Sequence, residues 1–171
     1  MIGRILSRAR GQAGFGLVEL ILAMLVLTIA LFALVASFTA GTLALKRASN
    51  VATATALANS QLELYRASTF DQISLNTTAV NTSDTTYRTE TGWDSQITSA
   101  SCSIDLAACV PSRTALAADG KSYRIDTYIG WLTPSGGGRD VKRVVVVIRN
   151  PDTTGSGSIA RQGSTFERAT G

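Results

Sequence analysis

Hydrophobic positions divide the chain into two patterns. From Leu20 to Leu45 there are 26 residues without a charge. As an α-helix with a rise of about 1.5 Å per residue, such a run is about 39 Å long, more than the ~30 Å hydrocarbon core of a bilayer. Past Leu45 the pattern turns amphipathic: Val51, Ala54, Ala58, Leu62 and Tyr65 step by 3, 4, 4 and 3, which places them on one helix face. Lys46, Arg47, Asn50, Asn59 and Glu63 form the polar counter-face. The two patterns predict one helix from Phe15 to about Ser68, its second half laid against a domain.

The remainder is patterned for strands. Tyr123, Ile125, Thr127, Ile129 and Trp131 alternate with Arg124, Asp126 and Tyr128, the period of two of a strand. Val144 to Ile148 is a β-branched run within 141–149, suited to a buried central strand. The stretch 132–140, with Pro134 and Gly136 to Gly138, reads as the turn of an antiparallel hairpin. Residues 71–100, rich in Ser, Thr, Asn and Asp, read as a long connecting loop with short strands around Thr85–Thr89. Beyond Pro151 the tail reads as irregular, with Ile159 and Phe166 able to pin an edge strand. Packing the sheet on the amphipathic half-helix buries both apolar faces, so the expected fold class is α+β.

Charge sharpens the N-terminal picture. The chain has a formal charge of +4, but Arg4, Arg8 and Arg10 precede the apolar run, and without residues 1–14 the balance is 13 basic to 12 acidic side chains. The basicity therefore belongs to a short segment suited to anionic lipid at the cytoplasmic face, not to a nucleic-acid-binding domain. Glu19 lies just inside the apolar helix. A carboxylate there reads as functional with a partner, or as a group solvated at the headgroup boundary. An ordinary secretory signal fits poorly, since its apolar region spans only about 7–15 residues.

The motif Gly14-Phe15-Gly16-Leu17-Val18-Glu19, opening an unbroken apolar helix, resembles the type III signal of type IV pilins and type II secretion pseudopilins. The resemblance implies a pilin-like fold and a leader, residues 1–14, removed by a membrane prepilin peptidase that cuts between Gly14 and Phe15. It further implies N-methylation of Phe15, with Glu19 as the fifth residue of the mature chain. Residues 15–45 become the transmembrane and assembly helix, and 46–171, with the second half of the helix, an extracytoplasmic head. The implied partners are the peptidase, other pilin or pseudopilin subunits, an inner-membrane assembly platform and membrane lipid. The Ala-rich stretch 52–58 followed by Gln61 to Arg66 resembles the equivalent segment of minor pilins and the smaller minor pseudopilins. Thr28 and Ala36 stand where many major pilins carry a helix-breaking glycine and proline, a departure from that pattern that points to a minor subunit.

For an extracytoplasmic domain, Cys102 and Cys109 are most simply a disulfide closing a small loop. The chain has no histidine, which removes His-based triads and most zinc chemistry. Ser135 to Gly138 lacks the Lys-Ser/Thr of a phosphate-binding loop. No enzyme, metal or cofactor is expected. Asp126 and Asp140 read as solvated surface. Arg124, Arg139, Lys142, Arg143 and Arg149, near Tyr128 and Trp131, admit a DNA-binding face. The plainer reading is of protective charges on an edge strand with Trp131 in the core, and nucleic acid is not expected as a partner. The sequence thus predicts a filament subunit; the rival is a membrane-tethered extracytoplasmic binding domain that is never assembled.

Overall fold

The computed structural model describes residues 16–132, 140–152, 155 and 157–168. It is α+β: one long N-terminal helix, α1 (Leu17–Arg66), and a four-stranded antiparallel sheet. The chain divides into two compact units, Met1–Leu45 and Lys46–Gly171, so α1 contributes to both.

In the first unit α1 is long and apolar enough to cross a membrane. Its threonine hydroxyls bond within the helix. Thr28 Oγ1 donates to the Met24 carbonyl at 2.7 Å and Thr39 Oγ1 to that of Val35 at 2.6 Å, so they add no unpaired donor to the apolar stretch. Glu19 is in the first turn, where a negative charge complements the helix dipole.

In the second unit the helix runs to Arg66, and its hydrogen bonding continues through Ala67 N to Glu63 O and Ser68 N to Tyr65 O. Between it and the sheet come β1 (Leu75–Asn76), α2 (Thr77–Asn81), α3 (Thr85–Arg88), β2 (Thr98–Ser99) and α4 (Leu106–Cys109). β1 and β2 form a small parallel pair. Thr85–Arg88 is therefore helix, not the strand expected from its β-branched residues. Polar residues that suggested a loop instead start single turns: Asn76 caps α2, Asp84 caps α3 and Asp105 caps α4, each side chain accepting a backbone N–H. These are the preferred N-cap residue types.

The sheet consists of β3 (Ser112–Leu116), β4 (Ser122–Leu132), β5 (Val141–Arg149) and β6 (Ala160–Glu167), paired in that order. β4 and β5 pair as expected, with Ile125 opposite Ile148 and Ile129 opposite Val144. The tail contributes the edge strand β6, and Ile159 and Phe166 pack against the core. β3 was not anticipated.

One sheet face packs on α1. Ala54, Ala58, Leu62 and Tyr65 share a core with Ile125, Ile129, Val144, Val146 and Ile148. Val51, 46% exposed, falls outside it. The other face carries Tyr128, Val145 and Val147 against Tyr87 from α3. Both faces are thus covered, which is why the valine run of β5 lacks the polar alternation of a one-sided strand. Trp131 is 55% exposed and stands at the sheet end beside Phe70, not in the core.

Ala58 is fully buried where the helix approaches the sheet. Ala58→Leu is expected to destabilise the domain by about 1–3 kcal/mol through overpacking. Chemical denaturation of the detergent-solubilised chain, followed by tyrosine near-UV circular dichroism, checks this against Asn59→Leu on the exposed face.

Candidate functional site

The residues with a role implied by the N-terminal motif divide at the start of the helix. Gly14 and Phe15 lie outside the described residues. Glu19 is exposed on the first turn of α1, its backbone N–H bonded to Gly16 O at 2.9 Å.

Cys102 and Cys109 form a disulfide, with an S–S distance of 2.03 Å. Closing a loop of this size contributes about 2.5 kcal/mol on the chain-entropy account. The loop is also held from α1. Gln61 Nε2 donates to Ala107 O at 2.9 Å, and Tyr65 Oη to Ala108 O at 2.6 Å. Arg113 from β3 donates in turn to Gln61 Oε1 at 2.9 Å. Gln61 and Tyr65 are fully buried, and burial pushes the Tyr65 hydroxyl up to about 12, so it remains a neutral donor. Sequence spacing placed Tyr65 on the apolar face but gave no sign of its polar end.

The largest departure concerns the strand charges. Asp126 is completely buried, not solvated. Its Oδ1 accepts from Arg124 Nε at 2.8 Å and its Oδ2 from Arg149 Nε at 2.9 Å. Arg124 also grips Asp84 with both terminal nitrogens, at 2.5 and 2.7 Å. Arg149, fully buried, reaches Glu90 at 3.3 Å, and Glu90 takes Arg161 of β6 at 2.7 Å. Three acids and three arginines thus alternate across the outer face. The Arg124 guanidinium holds the Asp84 carboxyl down at about 2, and the same contacts push Arg124 further up.

Two tyrosines complete this face. Their rings stack 4.4 Å apart; Tyr87 Oη donates to Thr127 O at 2.7 Å and Tyr128 Oη to Tyr87 O at 3.0 Å. Burial raises both pKa values well above the ordinary phenol.

Lys142 is also buried. It donates to the carbonyls of Phe70 and Ile73, both at 2.8 Å, and lies over the rings of Phe70 and Trp131. Burial lowers its pKa, and the carbonyls and π-faces solvate the ammonium in place of a carboxylate.

These contacts remove Arg124, Lys142 and Arg149 from any basic surface. Arg143 remains exposed, and Arg139 lies outside the described residues. Among the described residues, the strand charges therefore do not converge into a phosphate-binding face. One signal for the ion network was present in the pattern: β4 and β5, once paired, set Arg124 opposite Arg149, and like charges in that position require a counter-ion.

Among the described residues, no group of three or more Cys, Asp or Glu is arranged to hold a metal ion. Comparison with protein-family models, curated proteins and solved structures gives no match.

Asp126→Ala leaves two arginines without their shared carboxylate. It is expected to cost about 3–5 kcal/mol, whereas removing exposed Glu63 costs under ~1 kcal/mol; thermal unfolding of the two variants in detergent tests the contrast. The pH dependence has a defined sign. Because Asp84 is depressed from 3.8 to about 2, its contribution is complete above the ordinary value and is lost as pH falls through the lower one. Asp84 is 55% exposed, so the effect is local. Hydrogen exchange at α3, normalised for its intrinsic acid dependence, should lose protection between about pH 4 and 2 in the native chain. Asp84→Asn should abolish that step.

Proposed function

We propose that this chain is a subunit of a type IV pilus or type II secretion-like filament, a minor pilin or pseudopilin built into the assembly through its N-terminal helix. The observation that carries the reading is the single carboxylate of Glu19 in the first turn of an uninterrupted apolar helix, five residues beyond Gly14. A pilin-like layout supports it: the amphipathic half of the helix packs on an antiparallel sheet.

Physical chemistry gives Glu19 a task in such an assembly. A carboxylate enclosed in a helical bundle must be neutralised, because an unpaired buried charge costs several kcal/mol. Cleavage after Gly14 creates a cation, the amine of Phe15. Pairing Glu19 with that amine on a neighbouring subunit fixes the stagger between helices, as buried polar groups do in other helical assemblies. In this reading residues 1–14 are the cytoplasmic leader and the chain spans the inner membrane once before entering the filament. The prepilin peptidase, the assembly platform and the other subunits are its partners. The rival reading, a tethered binding domain, needs neither Gly14 nor Glu19. Its DNA-binding form loses most of its support with the pairing of Arg124 to Asp84 and Asp126 and the burial of Lys142 and Arg149.

The N-terminus of the membrane-extracted protein, read by intact mass and terminal-peptide mass spectrometry, tests the proposal. The expected chain starts at N-methylated Phe15; retention of Met1, or a start near Gly41, overturns it. Gly14→Val should block processing. Glu19→Ala should leave a processed protein in the membrane and reduce its recovery in sheared filaments at least tenfold, whereas a tether tolerates both changes.

A further inference from the structure

The outer face of the sheet contains a groove of about 210 Å³, to which Glu90, Thr91, Gly130, Arg143 and Arg161 contribute. Its opening has a local cause. Gly130 stands directly opposite Arg143 across the β4–β5 pair, and a Cβ placed on it would meet nothing within 4 Å. The missing side chain leaves a hollow beside the arginine.

Asp84, Asp126 and Glu90 are matched by Arg124, Arg149 and Arg161. Among the described residues, Arg143 lies outside these pairs, as do Arg88 of α3, held over Trp93, and Glu167 of β6, opposite Val141. All the acidic side chains of the chain lie among the described residues, and none of the ion pairs there includes Arg143. The other strand cations are engaged: Arg113 with Gln61, and Lys142 with two carbonyls. Arg143 is thus an exposed guanidinium without a carboxylate partner, bordering a cavity.

We propose that this groove binds an acidic sugar residue, a single pyranose ring bearing one carboxylate and several hydroxyls. A guanidinium takes a carboxylate through two parallel hydrogen bonds. The Glu90 carboxylate, with lone pairs beyond the two already used by Arg149 and Arg161, accepts from ring hydroxyls, as does Thr91. Exposed Leu132 at the same groove offers apolar surface to the ring's C–H face. The volume is below the ~300 Å³ lower end of ordinary ligand sites, which suits one ring. An anion alone would meet Glu90 as a like charge; a uronate gives Arg143 its anion and Glu90 its donors. The site is independent of whether the chain enters a filament.

The test is calorimetric titration of the full chain, held in a polyoxyethylene detergent that carries no sugar, with tetragalacturonate. Saturable binding is expected, at least tenfold tighter than for maltotetraose or tetraglutamate. Arg143→Gln removes the guanidinium and Gly130→Leu fills the hollow without changing charge; each should weaken binding at least tenfold, while thermal unfolding reports that the fold persists. No saturable binding of tetragalacturonate by the native chain overturns the proposal. Equal binding of tetraglutamate also overturns it, in favour of a site for acidic peptide, as does full affinity in both folded variants. The native-chain titrations decide even if a variant does not fold.

Discussion

A single buried carboxylate, Asp126, governs how the second unit closes. Its two oxygens are divided between Arg124 on its own strand and Arg149 on the neighbouring one. Those arginines stand opposite each other in the β4–β5 register, so without the anion the pairing would set two desolvated cations together. Through Arg124 the connection extends to Asp84 at the cap of α3, and through Arg149 to Glu90 and then to β6. Buried ion pairs are weak contributors to net stability, because desolvation offsets their attraction. Their effect here is specificity. A one-residue slip of β5 would turn Arg149 towards the apolar side, and the network admits no such arrangement.

The sheet therefore separates two kinds of chemistry. Towards α1 it is apolar and close, with Ala54 and Ala58 at full burial between larger side chains. Away from α1 it is ionic and aromatic, covered by short capped turns whose positions depend on single side-chain bonds. The first face tolerates little change in volume; the second depends on matched charge and hydrogen-bond geometry. Residues recruited to the second face come from segments far apart in the chain, as Arg124 and Asp84 do, 40 positions apart.

The difference explains what the sequence disclosed. Periodicity revealed α1, β4 and β5, because each repeats a local pattern over many residues. The Cys102–Cys109 bond was foreseeable from spacing and from the compartment implied by the N-terminal motif. The segment 71–100 defeated the same approach. Its helices are one turn long, and Thr85–Arg88 has the β-branched content of a strand, so the cap at Asp84 decided the outcome against propensity. Asp126 and Lys142 were misread because a charged residue in a strand is ordinarily exposed. Their burial depends on partners at 149, 70 and 73, which no local window contains. Within the N-terminal motif, Glu19 is the one candidate residue with a described position.

Arg149 has a second consequence, earlier in the life of the molecule. Val144 to Ile148 is an unbroken β-branched run without charge or proline, the composition that self-associates as extended strands when exposed. On the nascent chain it is flanked by Lys142 and Arg143 on one side and Arg149 on the other, a gatekeeper arrangement that keeps copies apart through like-charge repulsion. Folding then withdraws two of the three cations from solvent, Lys142 to backbone carbonyls and Arg149 to Asp126. Protection of the valine run passes at that point from repulsion between chains to burial within one.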